Sequence, residues 1–86
     1  NNVKLDAFVY IGHDAVLHKN VEATAGVIVG GFDEIGEGAF IGLNAILRNR
    51  IKIGSNVIIG MGAVVTKSVE DNLTVIGNPA SSMIRD

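Results

Sequence analysis

Ile35-Gly36-Glu37-Gly38-Ala39-Phe40-Ile41-Gly42-Leu43-Asn44-Ala45-Ile46-Leu47 places an aliphatic residue at every sixth position, and the spacing continues in both directions. Stepping by six from Leu5 gives Leu5, Ile11, Leu17, Ala23, Val29, Ile35, Ile41, Leu47, Ile53, Ile59 and Val65, all aliphatic. The following position is glycine at Gly12, Gly30, Gly36, Gly42, Gly54 and Gly60. Four residues after each aliphatic stands a second small or aliphatic residue, from Val9 to Val69, with Asp33 as the exception. An amphipathic helix repeats its apolar face at three and four residues, so this period excludes one. Short strands separated by turns and wound into a solenoid account for it. Three sixes close one coil of a three-sided prism, and the aliphatic columns fill its interior. The hexads predict unbroken register from Leu5 to Glu70. Asn20, Gly26, Gly38, Asn44, Asn56 and Gly62 fall at the corners, where positive φ is needed. Adjacent coils lie about 4.8 Å apart, the spacing of paired strands.

Composition narrows the function classes. The chain has 86 residues, no cysteine, and a net charge of −2. It forms one domain, without a disulfide framework or a thiolate metal site. No basic excess points to nucleic acid or to an anionic membrane surface. No apolar stretch approaches the roughly 18 residues of a membrane span. Asn1-Asn2-Val3-Lys4-Leu5-Asp6 does not read as a signal peptide, so the expected location is the cytoplasm.

The residue before each key aliphatic points out of a flat side. Sorted by 18, one side carries Tyr10, Ile28, Ile46 and Val64, and the next carries Val16, Glu34, Lys52 and Glu70. The third carries Glu22, Phe40, Ile58 and Ile76. Two adjacent sides are therefore largely apolar. Such surfaces imply burial against a partner, and three wedges close around a threefold axis, which predicts a homotrimer. A trimer also relieves the marginal stability of so small a domain.

His13 lies at the corner between an apolar side and the charged side, with Asp14 beside it. A carboxylate next to an imidazole sets its tautomer and stabilises the imidazolium. Eighteen residues on stands Gly31, whose bare backbone allows close approach and whose N–H could donate to a carbonyl oxygen. Asn49 and Lys67 continue that column. Arg48, Arg50 and Lys52 form a basic cluster, and His18 reads as a surface residue.

The hexad pattern resembles that of hexapeptide-repeat acyltransferases, which form left-handed parallel β-helices; this resemblance sets the expected hand. Ile59-Gly60-Met61-Gly62-Ala63-Val64-Val65-Thr66-Lys67-Ser68-Val69, then Val75-Ile76-Gly77-Asn78-Pro79-Ala80, looks like the ending of sugar-modifying members. Ile11-Gly12-His13-Asp14-Ala15-Val16-Leu17-His18, with Val29-Gly30-Gly31, is similar to the sialic-acid O-acetyltransferase and bacillosamine-pathway sugar N-acetyltransferase family. The resemblance implies His13 as catalytic base, Asp14 as its acidic partner, and Gly31 as the amide that binds the acetyl oxygen. Coenzyme A would meet Gly31, Asn49, Met61 and Lys67.

The family often has a second histidine nine residues after the base; here it is Glu22. Gamma-class carbonic anhydrases share the fold, but their zinc site takes three histidines and this chain has two, so no metal is expected. Relatives carry an N-terminal α/β domain, whereas here the first hexad begins at Leu5. The expected organisation is a β-helix over 1–78 and a tail or short helix over 79–86. The expected activity is acetyl-CoA-dependent acetylation of an amino or hydroxyl group of a nucleotide-linked sugar. The alternative is a non-catalytic trimeric β-helix that serves as a scaffold.

Overall fold

Each hexad folds as a two-residue strand followed by a turn. In the computed structural model, which describes residues 2–83, the strands are β1 (Lys4–Leu5), β2 (Tyr10–Ile11), β3 (Val16–Leu17), β4 (Glu22–Ala23), β5 (Ile28–Val29) and β6 (Glu34–Ile35). They continue with β7 (Phe40–Ile41), β8 (Ile46–Leu47), β9 (Lys52–Ile53), β10 (Ile58–Ile59), β11 (Val64–Val65), β12 (Thr74–Gly77) and β13 (Ala80–Ser82). Every third strand stacks, giving three sheets in the orders β1-β4-β7-β10-β12-β13, β11-β8-β5-β2 and β3-β6-β9. Partners are eighteen residues apart: Tyr10 opposes Ile28, Ile28 opposes Ile46, and Val16 opposes Glu34. The chain is a left-handed parallel β-helix, 36 Å long and 21 Å across. Among the described residues no helix is long and apolar enough to cross a membrane.

Backbone pairing and side-chain burial point to the same register. Tyr10 N–H donates to Val27 C=O at 2.9 Å, Ile28 N–H to Ala45 C=O at 3.0 Å, and Ile46 N–H to Ala63 C=O at 2.9 Å. Each strand therefore ties to the coil above. With that pairing, Ile35, Ile41, Ile53 and Ile59 point inward and are fully buried. The apolar interior is continuous from Val21 to Val75. The expected corner residues all take positive φ, from 58° at Asn56 to 77° at Gly26. Asp14, Phe32 and Arg50 take it as well, at 59°, 63° and 63°.

The expectation of unbroken hexads fails after Val65. Val69 bridges Ile53, and Thr74 and Val75 oppose Ile58 and Ile59, each sixteen residues apart. The positive-φ corners mark the same loss, passing from Gly62 to Asn72 in ten residues where two hexads would take twelve. The reason is chemical: strict hexads would put Asp71 and Gly77 in the columns of Ile53 and Ile59, whereas the shortened corner puts Val69 and Val75 there. Ile76 therefore does not stand over Ile58, nor Glu70 over Lys52. Thr74 takes the first place, and Ser68 Oγ accepts the Lys52 N–H at 2.9 Å in the second.

The C-terminus also differs from expectation. Ala80–Ser82, expected to begin a tail or short helix, form β13, antiparallel on β12, and Met83 N–H donates to Thr74 C=O at 2.8 Å. Pairing on β12 covers a sheet edge that would otherwise present bare backbone groups. Residues 84–86 of that expected segment lie outside the described residues.

Asp33, the exception among the inward positions, is 1% exposed. Its Oδ2 accepts from Gly30 N–H and its Oδ1 from Ile51 N–H, both at 2.9 Å. Burial pushes its pKa above the ordinary carboxylate value, and the backbone donors pull against that shift. Asp33→Ala orphans the Ile51 N–H and should cost about 1–3 kcal/mol for it, while the Gly30 N–H keeps its bond to Leu47 C=O. Asp33→Asn keeps one acceptor and should cost less. A raised folded-state pKa stabilises below the unfolded-state value and loses that effect as pH rises through the folded one. Urea unfolding across pH should therefore show wild type losing ground to Asp33→Asn as pH rises.

Candidate functional site

The corner between β2 and β3 carries His13 and Asp14, and the next coils place Gly31 with Phe32 and Asn49 with Arg50 at the same edge. The backbones are clipped together there. Phe32 N–H donates to His13 C=O, and Arg50 N–H donates to Gly31 C=O, both at 3.0 Å. The eighteen-residue stacking of His13 and Gly31 is thus present. A Cβ on Gly31 would lie 3.3 Å from His13 O and 3.7 Å from His13 Nε2. Among the described residues, no protein acceptor takes the Gly31 N–H.

His13 Nδ1 lies 3.2 Å from Asp14 Oδ2. A neutral imidazole that donates from Nδ1 to the carboxylate leaves the Nε2 lone pair free. That nitrogen is the one beside Gly31. The side chains of His13 and Asp14 are 77% and 68% exposed, so the pair stands at the rim of a single chain. The His13 ring meets the Phe32 ring edge-on, with centroids 5.1 Å apart and planes at 82°. The Arg50 guanidinium carbon lies 4.4 Å from the Phe32 centroid. Sequence reasoning missed this stack. The signal was a large aromatic in a corner place that otherwise favours Asn, Gly or Asp.

The remaining expected residues separate. Asn49 stands over Gly31 and lines a shallow cleft with Arg48, Arg50 and Thr66. Lys67 lies two residues past Val65, on the same edge but in the shortened corner, where among the described residues the backbone clip that joins the lower coils is not repeated to Asn49. Met61 does not join them. It is 76% exposed on the edge between β10 and β11, a different corner of the prism from His13. The physical reason is register: positions 7, 25, 43 and 61 form one column, and 13, 31 and 49 another.

The charged face has its own groove, lined by Leu17, His18, Glu34, Lys52, Ser55 and Asp71. His18, on the surface as expected, places Nε2 2.7 Å from Glu34 Oε2, and that hydrogen bond holds the Glu34 carboxyl below its ordinary range. Among the described residues, no group of three or more His, Asp or Glu side chains is placed to hold a metal ion.

Residues 34–67 match the bacterial transferase hexapeptide (six repeats) family. The chain is a hexapeptide-repeat β-helix, as its coil and corner pattern indicate. Across 83% of its length it is 44% identical to the bifunctional protein GlmU of Ruthia magnifica subsp. Calyptogena magnifica, covering 17% of that protein. The chain thus spans about a fifth of the length of the curated relatives it matches.

Among solved structures it resembles the serine acetyltransferase of Neisseria gonorrhoeae, with a TM-score of 0.83 and 34% identity. That match covers 96% of this chain and 39% of the other. It also resembles a mutant GDP-perosamine N-acetyl transferase of Caulobacter crescentus solved in complex with CoA and GDP-perosamine. Here the TM-score is 0.69 and the identity 26%, covering 98% of this chain and 46% of that one.

The two glycines at this corner have different jobs, and substitution should separate them. A Cβ on Gly30 would fall 2.5 Å from the Asn49 backbone, which cannot move without breaking the ladder. Gly30→Ala should lower unfolding free energy by about 1–3 kcal/mol through overpacking. Gly31→Ala meets only the His13 carbonyl, closely, and should stay within about 1 kcal/mol of wild type, helped by the reduced entropy of the unfolded chain. Urea denaturation of the two variants checks this.

Proposed function

We propose that this β-helix is the catalytic unit of an acetyl-CoA-dependent acetyltransferase that acts on an amino or hydroxyl group of a nucleotide-linked sugar. One observation carries the reading. An imidazole with a carboxylate on Nδ1 presents Nε2 beside Gly31 of the next coil, 3.7 Å from where a Cβ would stand. Similarity to acetyltransferases, one of them solved with CoA and a sugar nucleotide, supports the choice of donor and acceptor.

The chemistry is direct transfer. His13 Nε2 takes the proton from the acceptor N–H or O–H as that atom attacks the thioester carbonyl carbon. The carbonyl oxygen gathers negative charge and receives the Gly31 N–H, an interaction worth about 3 kcal/mol in comparable sites. The C–S bond then breaks, and the thiolate leaves with the proton held by the imidazolium. Asp14 keeps Nδ1 protonated and steadies the cation. The pantetheine arm runs along the column toward Asn49 and Lys67, where basic groups pair with phosphate.

The working form in this proposal is a homotrimer in the cytoplasm. The β2-β5-β8-β11 face presents Tyr10, Ile28 and Ile46, and the adjacent face presents Phe40 and Ile58, all substantially exposed. Burying both faces around a threefold axis sets His13 at the rim of an interface, where a second copy supplies the cleft wall a single chain lacks.

Sedimentation equilibrium should give three times the 9.0 kDa chain mass. Calorimetry should show CoA binding, and its absence at millimolar ligand would favour the non-catalytic scaffold. His13→Ala should keep CoA binding and lose roughly 10²–10⁴ in turnover with aminosugar nucleotides. Unchanged turnover removes His13 as base, and transfer to L-serine alone replaces the sugar as acceptor.

A further inference from the structure

We infer that Phe32, held by Arg50, is a positioning residue that fixes the plane of the His13 imidazole; the inference rests on the reading of His13 as base. His13 is mostly exposed, and within one chain little restrains its ring. Asp14 holds Nδ1, but a single hydrogen bond at 3.2 Å leaves the ring free to twist about it. The Phe32 ring sets the other coordinate. Edge-to-face contact at 5.1 Å and 82° is the geometry aromatic quadrupoles favour, and it specifies the angle between the rings. With Nδ1 on Asp14 and the ring plane set by Phe32, Nε2 stays beside Gly31.

Phe32 can do this because its own place is over-determined. Its backbone φ of 63° is the one the other corners share, so the stacking of the coils fixes where its side chain starts. Its N–H is bound to the His13 carbonyl, which ties the two residues directly. Arg50 takes the next corner of the same column, with its guanidinium over the phenyl ring. Phe8 shows the contrast. It has the same φ sign but is 93% exposed, and neither the aromatic pair nor the cation contact found here involves it. A phenylalanine at a corner is therefore not enough; the clamp between His13 and Arg50 makes this one specific.

The test uses Phe32→Asn, which suits positive φ and removes the ring, and Phe32→Tyr, which keeps it. With isotope-labelled histidine, only His13 and His18 report. Wild type should show Overhauser contacts from the His13 ring to Phe32 and β-proton couplings of one rotamer. Phe32→Asn should lose the contacts and average the couplings without lowering the melting temperature, and Phe32→Tyr should restore both. Turnover of Phe32→Asn should fall by roughly ten- to a hundredfold with KM for acetyl-CoA unchanged. In a His13→Ala background the same substitution should have no further effect.

Unaveraged couplings in Phe32→Asn overturn the inference, as does an equal loss of turnover in the His13→Ala background. Wild-type turnover in His13→Ala sinks the base assignment instead, and the couplings still decide whether Phe32 orders the ring.

Discussion

The vertical register of parallel strands, eighteen residues per coil, is the constraint on which everything else in this molecule depends. It puts Val29 over Ile11 and Leu47 over Val29, so that an aliphatic side chain always meets another above and below. Burying such a side chain is worth about 1.5–3 kcal/mol, and a slip of one residue would turn every one of them outward. The same register stacks corner on corner. Gly31 lies over His13 because Val29 lies over Ile11, and no separate device is needed to bring them together.

The departures from the repeat are as informative as the repeat. Asp33 sits where a small or aliphatic residue belongs, and its carboxylate joins Gly30 N–H to Ile51 N–H. Those residues flank Gly31 and Arg50, so one buried side chain braces the coil corner that carries the candidate site to the coil above it. An aliphatic residue would fill the space but accept neither hydrogen. At the far end, the corner after Val65 gives up two residues so that Val69 and Val75, rather than Asp71 and Gly77, continue the columns of Ile53 and Ile59. Side-chain chemistry, not the count of six, sets the register there.

The prism also distributes chemistry among its edges. The edge bearing His13, Gly31, Asn49 and Lys67 separates an apolar face from the charged one. The edge bearing Met61 separates the apolar β2-β5-β8-β11 face from one where Phe40 and Ile58 lie between Glu22 and Thr74. The charged face keeps its groove and the paired His18 and Glu34 to itself. A flat-sided solenoid has no deep cavity of its own, and that shifts attention to its rims and to what packs against them.

The architecture was legible because a solenoid is nearly one-dimensional: each residue's environment follows from its place in the hexad, and the pattern repeats too often to misread. The inward columns, the corner residues Asn20, Gly26 and Asn56, and the stacking of His13 with Gly31 all followed from counting. Counting failed where it assumed its own continuation, at Ser68 to Ile76, although Asp71 and Gly77, six and twelve residues past Val65, already broke the aliphatic column. Met61 was expected from the resemblance, and counting by eighteen already sets it with 7, 25 and 43, away from His13; counting could not foresee β13, which forms because β12 offers an open edge. The Phe32–Arg50 stack and the Asp33 brace belong to the tertiary structure alone. Both depend on where side-chain atoms point between coils, and a hexad position specifies inward, outward or corner but not the rotamer that meets a neighbour eighteen residues away.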